Sequence, residues 1–463
     1  MNCRTAHLLD LSDEILLIIL KKLESVDVLY SLLNVNKRLD QMARSVNNTK
    51  FLNFSMNNIQ LNRFCCEILP QIHHNTVELT LEIFSMERIL LACEYPNLTV
   101  IVLTNFLPDI LLQYLTVTKH SYLSIRDQSS NVCFSSNLHT LFINVDTFDD
   151  CLCLLDGRLE QLCSFTVRIN CIRRSRMNNN NQKILSNLKE FSLTSYISTN
   201  AYDCRILPLL RRMPNLETLT LDLYIIGRPI IDGLHLNEKL LIDMKYLNKF
   251  IFHICTILIT SETNYFLTAN DIKNTFLNWR YSLVNCCIDH FSDGFGYCHI
   301  YSTPFQMTRF RALSNSFRGQ DFSSVIELSL FDTRPFEHDF FEWLSQACPL
   351  LKDLIVNNST PQENKRQVAT IDDKQIFSKI SYLHLCQLKL AEAHIDYVDQ
   401  FLCYTNAYLP TLHTLVIQYD KLVTISNNFT NDAKQINCSQ IKRIVFDQLV
   451  VLPKDFYDYF PCL

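Results

Sequence analysis

Six glycines in 463 residues is the first notable shortage, and it excludes a good deal. Glycine lets a backbone wrap phosphates, turn tightly or act as a flexible tether. No G-x-G-x-x-G and no G-x-x-x-x-G-K occurs, so nucleotide cradles of those kinds are absent. G-x-S-x-G, H-E-x-x-H and C-x-x-C are missing too, and with them the common hydrolase, metalloprotease and dithiol signatures. Positive charge is not in excess: 42 Lys and Arg face 47 Asp and Glu, for a net charge of -5. That balance argues against a nucleic-acid partner. Long apolar runs are lacking. The longest, Phe250 to Ile259, is interrupted by His253. It is about half of the ~20 residues a membrane-spanning helix needs. The opening "MNCRTAHLLDLSDE" puts acids where a secretory signal is apolar. The expectation is a cytoplasmic or nuclear chain with no membrane partner. Its 19 cysteines then read as reduced, buried small hydrophobes.

Apolar material is plentiful, at 48% of residues with mean hydropathy +0.04. A chain this long outgrows a single core, so it must be multi-domain or a repeat array. From residue 76 a pattern L-x-x-L-x-L recurs, with Ile, Val or Phe substituting. It stands in "NLTVIVL", "NLHTLFI", "NLKEFSL", "NLETLTL" and "YLNKFIF", then in "SVIELSL", "LLKDLIV", "KISYLHL", "TLHTLVI" and "QIKRIVF". Weaker copies carry Leu79 and Leu81, and Phe165 and Val167. A degenerate one surrounds Leu123 and Ile125. This is a leucine-rich-repeat signature, in which each L-x-L is a short strand with alternate side chains inward. One repeat cannot bury its own apolar face, so stacking about a dozen makes a continuous core. "ERILLACEYP" and "FFEWLSQACP" read as intervening helices stopped by proline. No regular Asn follows the strands, which suggests an irregular solenoid. Residues 255–320 hold no clean copy and read as an insertion of two extended, aromatic-rich segments around a turn.

The front of the chain is different. In "LSDEILLIILKKL", Leu16, Ile19, Leu20 and Leu23 share one helical face. Ser12 is placed to cap this helix, with Asp13 and Glu14 in the first turn. A second helix carries Val28, Leu29, Leu32 and Leu33. A third, capped by Asn36, carries Leu39 and Met42.

Leu11, Glu14, Ile15, Leu16, Ile19, Leu20, Leu23, Asp27, Val28, Val35, Asn36 and Lys37 follow, in order and spacing, a known pattern. This stretch resembles the F-box. Ser12 stands where the family has proline, and Leu39 where it has an aromatic. The whole chain looks like an F-box and leucine-rich-repeat protein. The resemblance implies an α/β fold: a three-helix F-box over residues 6–48, a connecting segment at 49–75, and an irregular horseshoe of repeats over 76–463. It implies a non-enzymatic substrate receptor of an SCF-type cullin-RING ubiquitin ligase. The Skp adaptor would dock on Leu11, Ser12, Ile15, Leu16, Ile19, Leu23, Val28 and Val35 and bridge to cullin and RING subunits. The repeats would hold an unidentified target protein. The alternative is a repeat scaffold acting outside any ligase, with the first helices as an end cap.

Side-chain alternation places the target on residues flanking the L-x-L leucines. These are Thr218, Thr220, Asp222, Lys249, His253, Glu327, Phe331, Asp353, Asn357, Tyr382, His384 and Gln418, with Phe331 and Tyr382 the best anchors. Other clusters read blandly. Cys286, Cys287, His290, Cys298 and His299 lack zinc spacing, because adjacent cysteines point to opposite strand faces. Buried thiols and exposed histidines are expected there, with no metal or other cofactor. His73 and His74 read as a loop pair, and Cys151 and Cys153 as a core face. Arg173, Arg174 and Arg176 open a solvated Asn-rich loop, or a fork for a phosphorylated target.

Overall fold

A computed structural model describes residues 11–23, 25–44, 51–54, 58–93, 95–104, 138–155, 159–174, 183–259, 267–291, 294–363, 379–429, 435–438, 440–448 and 450–463. The expected copy at Leu123 and Ile125 lies outside them, as do Arg176 and residues 6–10 and 45–48. The chain is mixed α/β and divides into two compact units. One comprises Met1–Ile226 with His235–Phe250, the other Gly227–Leu234 with Ile251–Leu463.

The first unit begins with helices α1 (Asp13–Leu20), α2 (Ser25–Leu32) and α3 (Lys37–Ala43). Strands β1 (Phe51–Phe54), β2 (Glu78–Glu82), β3 (Val100–Thr104), β4 (Thr140–Thr147), β5 (Ser164–Cys171), β6 (Glu190–Ser195) and β7 (Thr218–Ile226) follow. They pair in parallel, each with the next in the chain. Alternation makes the register visible. Leu79, Ile101, Leu141, Phe165, Phe191 and Leu219 align into one column and are all buried. Each buried side chain of this kind contributes about 1.5–3 kcal/mol.

One carbonyl at the foot of each strand accepts two successive amides from the next. Val77 takes Thr99 and Val100, Thr99 takes His139 and Thr140, and His139 takes Cys163 and Ser164. Cys163, Lys189 and Glu217 continue the row. A carbonyl oxygen has two lone pairs, so it serves both donors. Beside this row runs a side-chain one. Asn97, Asn187 and Asn215 each stand before a strand-leading leucine. They donate to the carbonyls of His74 (2.7 Å), Glu160 (2.9 Å) and Ser186 (2.8 Å). The asparagines therefore repeat before the strands, where the sequence reading looked for them after.

The second unit carries two kinds of sheet. Strand β8 (Lys249–Ile259), whose first two residues belong to the first unit, pairs antiparallel with β10 (Phe295–Thr303). β10 in turn pairs antiparallel with β9 (Leu283–His290). The two aromatic-rich segments expected within 255–320 are this β9–β10 hairpin. A separate six-stranded parallel sheet runs β11-β12-β13-β15-β17-β18. Its strands are β11 (Arg309–Leu313), β12 (Glu327–Phe331), β13 (Asp353–Asn357), β15 (Gln387–Lys389), β17 (Thr414–Ile417) and β18 (Arg443–Phe446). Strands β14 (Ile380–Ser381) and β16 (Ala407–Tyr408) form a small parallel pair. Carbonyls of Thr308, Ile326, Lys352, Cys386 and His413 repeat the double acceptance. The helix His338–Ala347 buries Phe340, Phe341, Leu344 and Ala347 on one side. Among the described residues, no helix is long and apolar enough to cross a membrane.

One repeat frame needs correction. "KISYLHL" gives the short β14 and not the strand of the six-stranded sheet: Leu383 is 57% exposed, while Leu385, Leu388 and Leu390 are buried. Two L-x-x-L-x-L frames overlap in "KISYLHLCQLKL", and the second one forms β15. Its Leu388 joins the buried column of Phe310, Leu328, Leu354 and Leu415.

Candidate interaction surfaces

The N-terminal module is closed on one side and open on the other. Leu16, Leu20, Val26, Val28, Leu29, Leu33, Leu39 and Met42 are buried. Ile15 (47%), Ile18 (59%), Ile19 (39%), Leu23 (55%) and Val35 (60%) are exposed. Leu16 and Val28, expected to be shared between the module's own core and the adaptor surface, are both buried. Leu11 is half-buried and Ser12 exposed. Ile18, missed in the sequence reading, sits beside Ile15 and Ile19 on the outer stripe at helical spacing.

Local chemistry fixes the module's shape. Asn36 caps α3, its side chain accepting from the Leu39 amide at 2.9 Å. Arg38 joins the starts of α1 and α3, at 2.7 Å from Asp13 and 2.5 Å from the Leu11 carbonyl. Ser12 occupies the cap position of α1, but its side chain makes no capping bond. The Glu14 carboxyl lies below its ordinary range, through its own backbone amide and then the Ser12 hydroxyl. The Arg63 guanidinium covers the Tyr30 ring at 4.7 Å, tying α2 to the helix Asn58–Arg63.

The outward sheet faces divide the target-surface candidates. Lys249, Glu327 and His384 are exposed. Thr218, Thr220, Phe331, Asp353, Asn357 and Gln418 are half-buried. Phe331 rests edge-on against Phe291 at 5.0 Å and Tyr297 at 5.8 Å. Burial, then Glu327 beside it, raises the Asp353 carboxyl.

Three candidates are corrected, because they are buried. Asp222 lies where β7 runs on as a long strand with Leu223, Tyr224 and Ile225 also buried. His253 is covered by the hairpin region: its ring stacks on Phe310 at 4.7 Å and on His299 at 5.4 Å. Tyr382 belongs to the misread frame, and its hydroxyl donates to the Phe341 carbonyl at 3.0 Å inside the core.

The hairpin cysteines and histidines are sorted by strand face. Cys286 and Cys298 are buried, Cys287 is half-buried and His290 is exposed. His299 corrects the expectation of exposed histidines. It is wholly buried, with His253 Nε2 3.1 Å from its Nδ1 and Cys255 Sγ 3.6 Å from its Nε2. Burial and then His253 hold the His299 pKa well below the ordinary range. Hydrogen bonding with Cys286, followed by burial, raises the Cys298 thiol. Among the described residues, no group of three or more His, Cys, Asp or Glu is placed to hold a metal ion. His73 and His74 lie in a short 3-10 turn, and Cys151 is buried. Arg173 and Arg174 are exposed, Arg174 donating to the Asn200 carbonyl at 3.3 Å.

No protein-family model matches this chain, and no curated protein matches it.

Proposed function

We propose that the chain is a substrate-recognition subunit of an SCF-type cullin-RING ubiquitin ligase, working as a recruiter and not as an enzyme. In this reading α1 to α3 are an F-box, and the parallel strands are irregular leucine-rich repeats. The observation that carries it is the exposed aliphatic stripe of Ile15, Ile18 and Ile19 on α1, with Leu23 and Val35 also exposed. Such a stripe leaves apolar surface that a partner is needed to cover. The Skp adaptor would cover it and connect to cullin and RING subunits. The target protein would meet the outward strand faces, at Lys249, Glu327, Phe331 and their neighbours. The work would take place in the cytoplasm or nucleus.

A scaffold acting outside any ligase is the second reading. It is favoured by the packing of α2 near β1, which lets the helices act as an end cap for the sheet. Affinity purification of the full chain with the Skp adaptor separates the two. Stoichiometric co-purification supports the receptor, and its failure leaves the scaffold.

A further inference from the structure

An open cleft of about 400 Å³ lies at the carboxyl ends of β13, β15 and β17 in the second unit. Lys421, His394 and Glu392 line it together with Ala391, Ala393 and Ile395.

Lys421 is the group that asks for an explanation. It sits in the first turn of the helix Tyr419–Ser426, and its ammonium donates to the carbonyls of Ala391 (3.1 Å) and Ala393 (2.7 Å). An ammonium has three donors, so these two neutral acceptors fix its place without using it up. Burial draws the Lys421 pKa below its ordinary value, and Glu392 and Asp447 recover only part of that. The direct hydrogen-bond acceptors of the cation are both neutral carbonyls. Beside it, His394 Nδ1 accepts from the Asp396 amide at 3.3 Å. The same nitrogen lies 3.3 Å from the Asp396 carboxylate.

We propose that this cleft binds the carboxylate of a short aliphatic acid, with Lys421 as the charge that holds it and Ala391 and Ile395 receiving the alkyl part. One ammonium matches one negative charge. Glu392 at the rim and Asp396 beside His394 oppose any anion, and the second charge of a phosphate dianion doubles that opposition, so a monoanion fits better. The carboxylate belongs either to a free organic acid or to a polypeptide C-terminus. The proposal does not depend on the ligase reading.

The test uses the purified full chain and saturation-transfer NMR. The probes are isovalerate, a tripeptide ending in free valine, the same tripeptide amidated, and inorganic phosphate. At least one of the two acids is expected to bind, and the amide is not. Binding by isovalerate alone assigns a free acid, and binding by the tripeptide assigns a chain end. Lys421→Met is expected to weaken binding by about tenfold, near 1.4 kcal/mol. Glu392→Gln, at an exposed position that disturbs no packing, is expected to strengthen it severalfold. That second variant keeps the test decisive should Lys421→Met fail to fold. The proposal is overturned if neither acid binds, if acid and amide bind equally, or if phosphate displaces isovalerate. Unchanged affinity in Glu392→Gln would overturn it as well.

Discussion

The Asn215 side-chain amide donates to the Ser186 carbonyl across 2.8 Å and 29 residues of chain. Asn187 and Asn97 do the same for the segments before them. Each bond ties the turn before one strand to the turn before the preceding one. A hydrogen bond of this kind contributes about 0.5–1.5 kcal/mol net, so Asn215→Ala should lower unfolding free energy by roughly that amount. Asn215→Asp should cost at least as much, since a carboxylate cannot donate to a carbonyl. Urea denaturation followed by circular dichroism measures both.

Acid should weaken the second unit. His299 is buried neutral, and its folded pKa lies well below the ordinary 6.5. The unfolded chain therefore takes up this proton first as pH falls. Stability is retained above about pH 6.5 and declines below it, at up to about 1.4 kcal/mol per pH unit for one proton. Denaturation midpoints at pH 7.5 and 5.5 should differ in that sense. His299→Phe should flatten this part of the pH dependence. An unchanged slope would show that His299 is not the group responsible.

Tyr382 should behave as a core residue. Its ring is buried, and its hydroxyl bonds the Phe341 carbonyl. Tyr382→Ala should cost about 3–5 kcal/mol, the range for a large aromatic lost from a core. Phe331→Ala, at a half-buried outward position, should cost much less. Thermal melts of the two variants compare them directly.

Ala312 holds a left-handed backbone, φ 53°, where the β11–β12 register shifts. That conformation costs a non-glycine residue roughly 1–2 kcal/mol, and glycine escapes most of it. Ala312→Gly should therefore raise the melting temperature, against the usual effect of glycine in a strand.

Much of this architecture was legible because alternation has a short, strict period. Leu219 and Leu221 could only point one way once the strand was recognised, and both are buried. Where two frames overlapped, as in "KISYLHLCQLKL", periodicity had no means to choose. The choice fell to packing, which buried Leu388 and Leu390 and left Leu383 outside. Outward position likewise does not mean exposed. His253 alternates outward by count, yet Phe310 and His299 cover it, and those contacts are distant in sequence. In the N-terminal module, helical spacing placed Leu16 and Ile19 on one face. It could not divide that face into the part that is buried and the part left open.

That division decides how the proposed function is best tested. A charge at the buried Leu16 would disrupt packing and report only unfolding. Ile18 and Ile19 are exposed, so Ile18→Asp with Ile19→Asp alters the open stripe and leaves the core intact. The measurement is adaptor affinity by calorimetry, for the full chain and this double variant, with circular dichroism to confirm equal folding. The receptor account requires tight binding by the natural chain. It also requires at least a hundredfold loss in the variant, about 2.7 kcal/mol. Undiminished binding by a folded double variant would contradict it, as would absence of binding by the natural chain.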